Sequence, residues 1–120
     1  SSFIGKTANT SGLREILTMQ DRPTAILASD DSLALWAMPV ARACGLRLPE
    51  DLSFAGFHNL MLGQYVTPTL TTVETHPYLQ GQLAIELLTE RIRAEGDLPF
   101  RSMIVPYEII ERDSLSARKD

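Results

Sequence analysis

The sequence predicts an α/β fold, an open and mainly parallel sheet flanked by helices. Three observations carry this. Short apolar runs at 24–28, 52–56 and 70–74 alternate with helical patterns along the chain. The first run, Thr-Ala-Ile-Leu-Ala, is continuous rather than alternating, as in a parallel strand covered on both faces. Each run also ends on polar residues, which suits loops leaving one edge of a sheet. The bulk composition agrees: 120 residues, 44% of them hydrophobic, are enough for one domain with a core. There is no internal repeat and no low-complexity segment.

The elements follow in order. Residues 1–8 lack a pattern and are expected to be extended or frayed. Asn9, Thr10 and Ser11 are good cap types before LREILTM, in which Leu13, Ile16 and Leu17 share a helical face. Asp21-Arg22-Pro23 stops that helix, because proline restricts the residue before it. After the strand at 24–28, Ser29 or Asp30 can cap a helix over 31–44. This helix is apolar almost all round: Leu33, Ala34, Leu35, Trp36, Ala37, Met38, Val40 and Ala41 leave no polar face over two turns. A helix at the surface of a monomer shows an apolar stripe and a charged side, so this one is expected to be covered on both sides. Pro39 lacks the N–H that would bond the Leu35 carbonyl, which predicts a kink or a break. Gly45 fits the position just past the helix end.

The strand at 52–56 follows a Pro-Glu-Asp turn. Residues 59–65 read as a short helical turn, Thr67-Pro68 as a loop, and 70–74 as a third strand. Pro77 suits the first position of a helix over 77–94, capped by Thr75 or His76. Leu79, Leu83, Leu87, Leu88 and Ile92 form its apolar stripe, and Glu86, Glu90 and Arg93 its wet side. The segment 96–99 ends it. Residues 103–110 are mostly extended, broken by Pro106, and the tail is polar.

Several function classes are disfavoured. A net charge of −4, with Lys and Arg scattered, gives nothing from phosphate neutralisation, so DNA binding by this chain alone is not expected. No apolar run is long enough to span a membrane. No secretory leader opens the chain, and its start, SSFIGK without an initiator Met, reads as a cut piece. The single cysteine, Cys44, forbids an internal disulfide and reads as a buried free thiol of a reducing compartment. GxSxG, HExxH and a Gly-rich phosphate loop are missing. Two histidines 18 residues apart and one distant cysteine make no zinc pattern, and a Ser/His/Asp triad has no local support. No catalytic residue, metal site or cofactor is assigned.

What the pattern favours is binding. In an open α/β sheet, ligands sit beyond the carboxyl ends of the strands. The residues leaving the three strands are Ser29-Asp30-Asp31, His58-Asn59 and Thr75-His76, able to hold a polar small molecule through paired hydrogen bonds. Each has a plainer reading. Asp30 and Asp31 can simply cap a helix and pair with its dipole. His58 can be a surface loop histidine, and His76 a cap neighbour without a ligand.

The segments PTAILASDDSLAL, GLRLPEDLSFAGF and TPTLTTVE, in that order and spacing, resemble the lactose/galactose repressor family of bacterial transcription regulators. The resemblance covers about 11–114, and corresponds to the C-terminal part of such a repressor. It implies a two-lobed core like that of periplasmic sugar-binding proteins, with effector held between the lobes. It also implies that the N-terminal helix-turn-helix, the hinge helix and most of the first lobe are absent from this sequence. On that likeness, 1–74 is the C-terminal lobe and 75–100 a crossover with a helix that packs in the N-terminal lobe. Residues 101–112 return a strand (its apolar part at 103–105), and 113–120 form a tail. Asp30 and His58 are then effector contacts, with Thr75 at the crossover. His58 departs from the family, which usually has an aspartate there. A neutral His accepts one hydrogen bond and donates one, but offers no bidentate carboxylate, which counts against an ordinary sugar.

The resemblance further implies a homodimer in the bacterial cytoplasm. Leu35, Tyr65 and Val66 would lie at a two-fold interface, Leu35 being alternatively part of the core. The implied partners are a small effector (a sugar, nucleoside or related polar metabolite), a second copy, and operator DNA only through the absent N-terminal domain; no membrane is implied. If these residues were the whole molecule, the helix at 77–94 would be expected to dock on another copy or fold back on its own sheet, because its apolar side chains favour burial. The other classes weighed are a lobe of a periplasmic sugar-binding transport receptor and an enzyme.

Overall fold

A computed structural model describes residues 10–117; the expectation for residues 1–8 lies outside them. The elements are α1 (Thr10–Thr18), β1 (Ala25–Leu27), α2 (Asp31–Ala43), β2 (Ser53–Phe57), a 3₁₀ turn (Met61–Gln64), β3 (Thr71–Glu74), α3 (Pro77–Arg93) and β4 (Glu108–Ile110). The strands form one sheet in the order β1-β2-β3-β4. β1, β2 and β3 are parallel, and β4 runs antiparallel to β3. The mainly parallel sheet with flanking helices is the one the sequence predicts, but β1 is not covered on both faces: Ala25 and Leu27 are exposed. Its fourth strand is displaced from the expected one: residues 103–105 form no strand, and pairing begins only at Glu108, beyond Pro106, which has no N–H for a ladder.

The core lies between α1, α2 and the sheet. Leu17, Ala28, Ala34, Ala37, Met38, Ala41, Leu52, Phe54 and Leu70 are its buried members. Burying a side chain the size of Leu, Met or Phe is worth about 1.5–3 kcal/mol, so these few residues dominate the packing. α2 buries Asp31, Ala34, Ala37, Met38, Val40 and Ala41, while Leu33, Leu35 and Trp36 are half-buried against the same cluster. Cover on both sides is therefore not found within the chain: Ser32, Pro39, Arg42 and Ala43 form a narrow exposed face of small or polar residues. Nor does Pro39 break the helix, which runs unbroken through it. The ring stands at an exposed position, where the Leu35 carbonyl it leaves unpaired is not sealed in the core. α2 ends as the sequence suggests. Gly45 has φ +83°, its N–H bonds the Arg42 carbonyl, and the Leu46 N–H reaches back to Ala41. Cys44 beside it is a free thiol, half-buried rather than fully buried.

The segment after β4 locks the sheet from below. Ser114 is buried between β2 and β3. Its Oγ donates to the Phe54 carbonyl at 2.6 Å and accepts from Thr71 N at 2.8 Å, and its own carbonyl accepts from Phe54 N at 2.9 Å. Residues 112–116 thus serve as a partial extra strand, which ties the starts of β2 and β3 together.

α3 lies apart from this core. None of its residues is buried, and Leu79, Ile85, Leu88 and Ile92 are exposed. It does not fold back on the sheet, so that alternative is not realised. Leu83 and Leu87 are half-buried, and with Gln80, Ala84, Met103 and Val105 they line an open cavity of about 360 Å³. The chain is correspondingly elongated, 62 × 28 × 27 Å. Among the described residues, no helix is long and apolar enough to cross a membrane.

Candidate effector-binding site

Three loops leave the carboxyl ends of β1, β2 and β3, and they carry the residues singled out from the sequence. Asp30 follows β1. It is half-buried, and its Oδ1 accepts the Leu33 N–H at 2.9 Å, so it caps α2. Its other carboxylate oxygen has no partner among the described residues. The capping and ligand readings are therefore compatible, with one oxygen for each.

His58 follows β2 and is exposed. Its φ is +89° and that of Asn59 is +48°, two consecutive non-glycine residues in left-handed conformations. Such residues are uncommon, and they persist where the surroundings over-determine them. The His58 N–H bonds the Val73 carbonyl at 2.8 Å, and its ring lies tilted against Phe57. Its Nδ1 pairs with Thr75 Oγ1 at 3.1 Å, which leaves Nε2 without a partner among the described residues. Thr75 and His58 are thus brought together, from strands β3 and β2. Thr75 is no helix cap. The capping position of α3 is His76, left-handed at φ +49° with no side-chain capping bond.

Behind this rim stands a polar network that sequence reasoning only grazed. Asp31 is fully buried, with Oδ1 accepting the Thr72 hydroxyl at 2.6 Å and Oδ2 accepting the Leu60 N–H at 2.8 Å. It is therefore no ligand contact. Asn59 Nδ2 donates to Glu74 Oε2 at 2.9 Å, and Glu74 Oε1 accepts the His76 N–H at 2.7 Å. The amide of Asn59 foremost, with that N–H behind it, holds the Glu74 carboxyl below its ordinary range. Arg112, from the segment after β4, donates to the Asn59 Oδ1 at 2.7 Å and the Leu70 carbonyl at 2.8 Å. Asp31 had a signal in the sequence: it lies three residues before Ala34 and seven before Met38, on the buried face of α2. Arg112 had none, since only the fold brings it to Asn59.

The arrangement offers acceptors at Asp30, a ring nitrogen at His58 and a hydroxyl at Thr75, on a rim backed by satisfied hydrogen bonds. It suits hydrogen bonding to a polar molecule. Among the described residues, no group of three or more His, Cys, Asp or Glu is placed to hold a metal.

Comparison with known proteins gives the family. Residues 3–115 match the family described as the periplasmic binding protein-like domain. The chain belongs to this family. It corresponds to the C-terminal sensor part of a LacI-family regulator. It is 38% identical over 101 residues to the HTH-type transcriptional repressor PurR of Vibrio atlanticus, which covers 84% of this chain and 30% of that protein. It is 32% identical over 108 residues to the ribose operon repressor of Haemophilus influenzae, covering 90% and 32%. Among solved structures, a LacI family regulator from Enterococcus faecium with bound ribose superposes with a TM-score of 0.74 at 26% identity, covering 92% of this chain and 41% of that one. The chain spans about a third of the length of these curated relatives.

Proposed function

We propose that this chain forms one wall of a cleft that closes on a small polar effector, in a cytoplasmic bacterial repressor whose operator contact is made by another segment. The observation that carries this is the juxtaposition of His58 and Thr75 beside the loop of Asp30, at the carboxyl edge of a parallel sheet. Asp30 supplies a carboxylate oxygen, His58 Nε2 a donor or acceptor, and Thr75 a hydroxyl. That donor set suits a sugar, a nucleoside or a related polar metabolite; the ribose operon repressor among its relatives, and the ribose-bound neighbour, support that range. In this reading, 1–74 is one lobe, 75–100 crosses to a second lobe, and 101–112 returns. The exposed apolar stripe of α3 supports that division, since it is built for a cover the chain does not supply.

Self-association is the second part of the proposal. Tyr65 is 74% exposed, while Leu35 and Val66 are half-buried beside the core. With exposed Met61 and Leu62 they offer an apolar surface that suits a two-fold contact.

The test uses the full-length parent protein. A thermal-shift panel of pentoses, hexoses and purines identifies the effector, and Asp30→Ala is expected to weaken its effect while operator binding persists. Loss of operator binding in the same variant would give Asp30 a purely structural role. A strictly monomeric sedimentation profile at tens of micromolar would refute the self-association.

A further inference from the structure

We propose that Asp31 is a positioning residue for the effector-facing loop, acting through Thr72 to hold His58 in its left-handed conformation. This deepens the reading of the rim as an effector wall and rests on it.

The argument begins with bond direction. The Thr72 hydroxyl has a single proton, and it goes to Asp31 Oδ1 at 2.6 Å. That commitment turns the Thr72 oxygen into an acceptor, and the Asn59 N–H donates to it at 3.2 Å. The second Asp31 oxygen takes the Leu60 N–H at 2.8 Å. One buried carboxyl group therefore fixes two successive backbone N–H groups, Leu60 directly and Asn59 through a hydroxyl. His58 immediately precedes them, with its own N–H on Val73.

The sequence context supports a dedicated role. A buried carboxyl group is costly unless its oxygens are hydrogen-bonded, and both of these are. Asp31 opens α2, where the helix N-terminus favours negative charge. Gly56 gives it room: a Cβ there would overlap Asp31 Oδ1, so the strand carries a glycine where a side chain would expel the carboxyl group. Asp30 already caps the helix, so Asp31 is not required for that purpose. Two left-handed non-glycine residues in succession need an external constraint, and the Asp31–Thr72 pair supplies it at the two amides that follow His58, those of Asn59 and Leu60.

The experiment needs no effector, so its failure is separable from failure of the effector reading. Solution NMR on this chain compares Asp31→Asn, Thr72→Val and Thr72→Ser. Positive φ gives a strong intraresidue amide–α proton NOE at His58 and Asn59. Thr72→Ser keeps the hydroxyl and is expected to retain those signals and the slow amide exchange of Asn59 and Leu60. Thr72→Val keeps the shape but removes the relay. It is expected to weaken the signals and speed exchange of Asn59 at least tenfold. Asp31→Asn offers a single acceptor for two donors and is expected to do the same at Leu60. Unchanged signals in Asp31→Asn and Thr72→Val would overturn the proposal, since the loop would then be set by its own sequence. Global unfolding of Thr72→Val would overturn it too, because the hydroxyl would then serve the whole sheet.

Discussion

Ser114→Ala is the sharpest test of how the sheet is held. The side-chain oxygen is buried and makes two bonds, accepting from Thr71 N and donating to the Phe54 carbonyl. Phe54 N and its carbonyl point to the same side, toward Ser114, so alanine leaves the carbonyl without its partner. Thr71 N loses its partner as well. A buried polar group left unsatisfied costs about 1–3 kcal/mol, and two of them cost about 2–6 kcal/mol. Domains of this size are stable by about 5–15 kcal/mol, so the change removes a large fraction of the total. The assay is urea unfolding followed by circular dichroism. With a slope of about 1–3 kcal/mol per molar, the midpoint is expected to fall by about 1 M or more. Ser116→Ala is the control. It deletes one exposed bond to the Pro49 carbonyl and is expected to change stability by under about 0.5 kcal/mol. If Ser114→Ala behaved like the control, the view of residues 112–116 as a partial strand would be wrong. The stakes reach the rim, because Ser114 sets the relative level of the strands that deliver His58 and Thr75.

Two further outcomes are expected. The side-chain and backbone hydrogen bonds from Arg47 hold the Asp51 carboxyl at about 2; a depressed value contributes stability above the unfolded-state pKa that is lost as pH falls through about 2. Arg47→Gln is therefore expected to move the NMR titration of Asp51 up toward the ordinary carboxylate range, and an unmoved midpoint would refute the pairing. Pro39→Ala restores an N–H to bond the Leu35 carbonyl at an exposed helical position, so a gain of about 1–3 kcal/mol is expected in thermal unfolding; a loss would show that the proline ring packs usefully.

The strands and the two long helices were legible because their signals are local. Apolar runs, Pro77 at a helix start and Gly45 past a helix end each act within one turn of chain. What escaped was carried by contacts distant in sequence. The all-round apolar look of α2 suggested two covers, yet Leu33, Leu35 and Trp36 reach round to the same core, which a count of residue types does not register. In the pair Asp30-Asp31 the two carboxylates look equivalent as letters. Helical spacing separates them, one toward the loop rim and the other under Gly56. Thr75 read as one of two possible caps, with His76, besides its place at the crossover; its hydroxyl went to His58, 17 residues away. Arg112 had no local signal, because its partner Asn59 lies 53 residues upstream.

The place of β4 in the sheet bears on how the protein is made. β3 ends at Glu74 and its antiparallel partner begins at Glu108. During synthesis at about 5–20 residues per second, the intervening 75–107 stretch takes about 2–7 s to appear. Throughout that interval one side of β3 is an open edge, with unpaired backbone groups able to recruit a neighbouring nascent chain. The strand is short, and Glu74 places a charge at its end, which discourages such pairing. A ribosome stalled between those points would expose this edge for as long as the stall lasts, and chaperone demand on this protein should therefore peak before Glu108–Ile110 emerges.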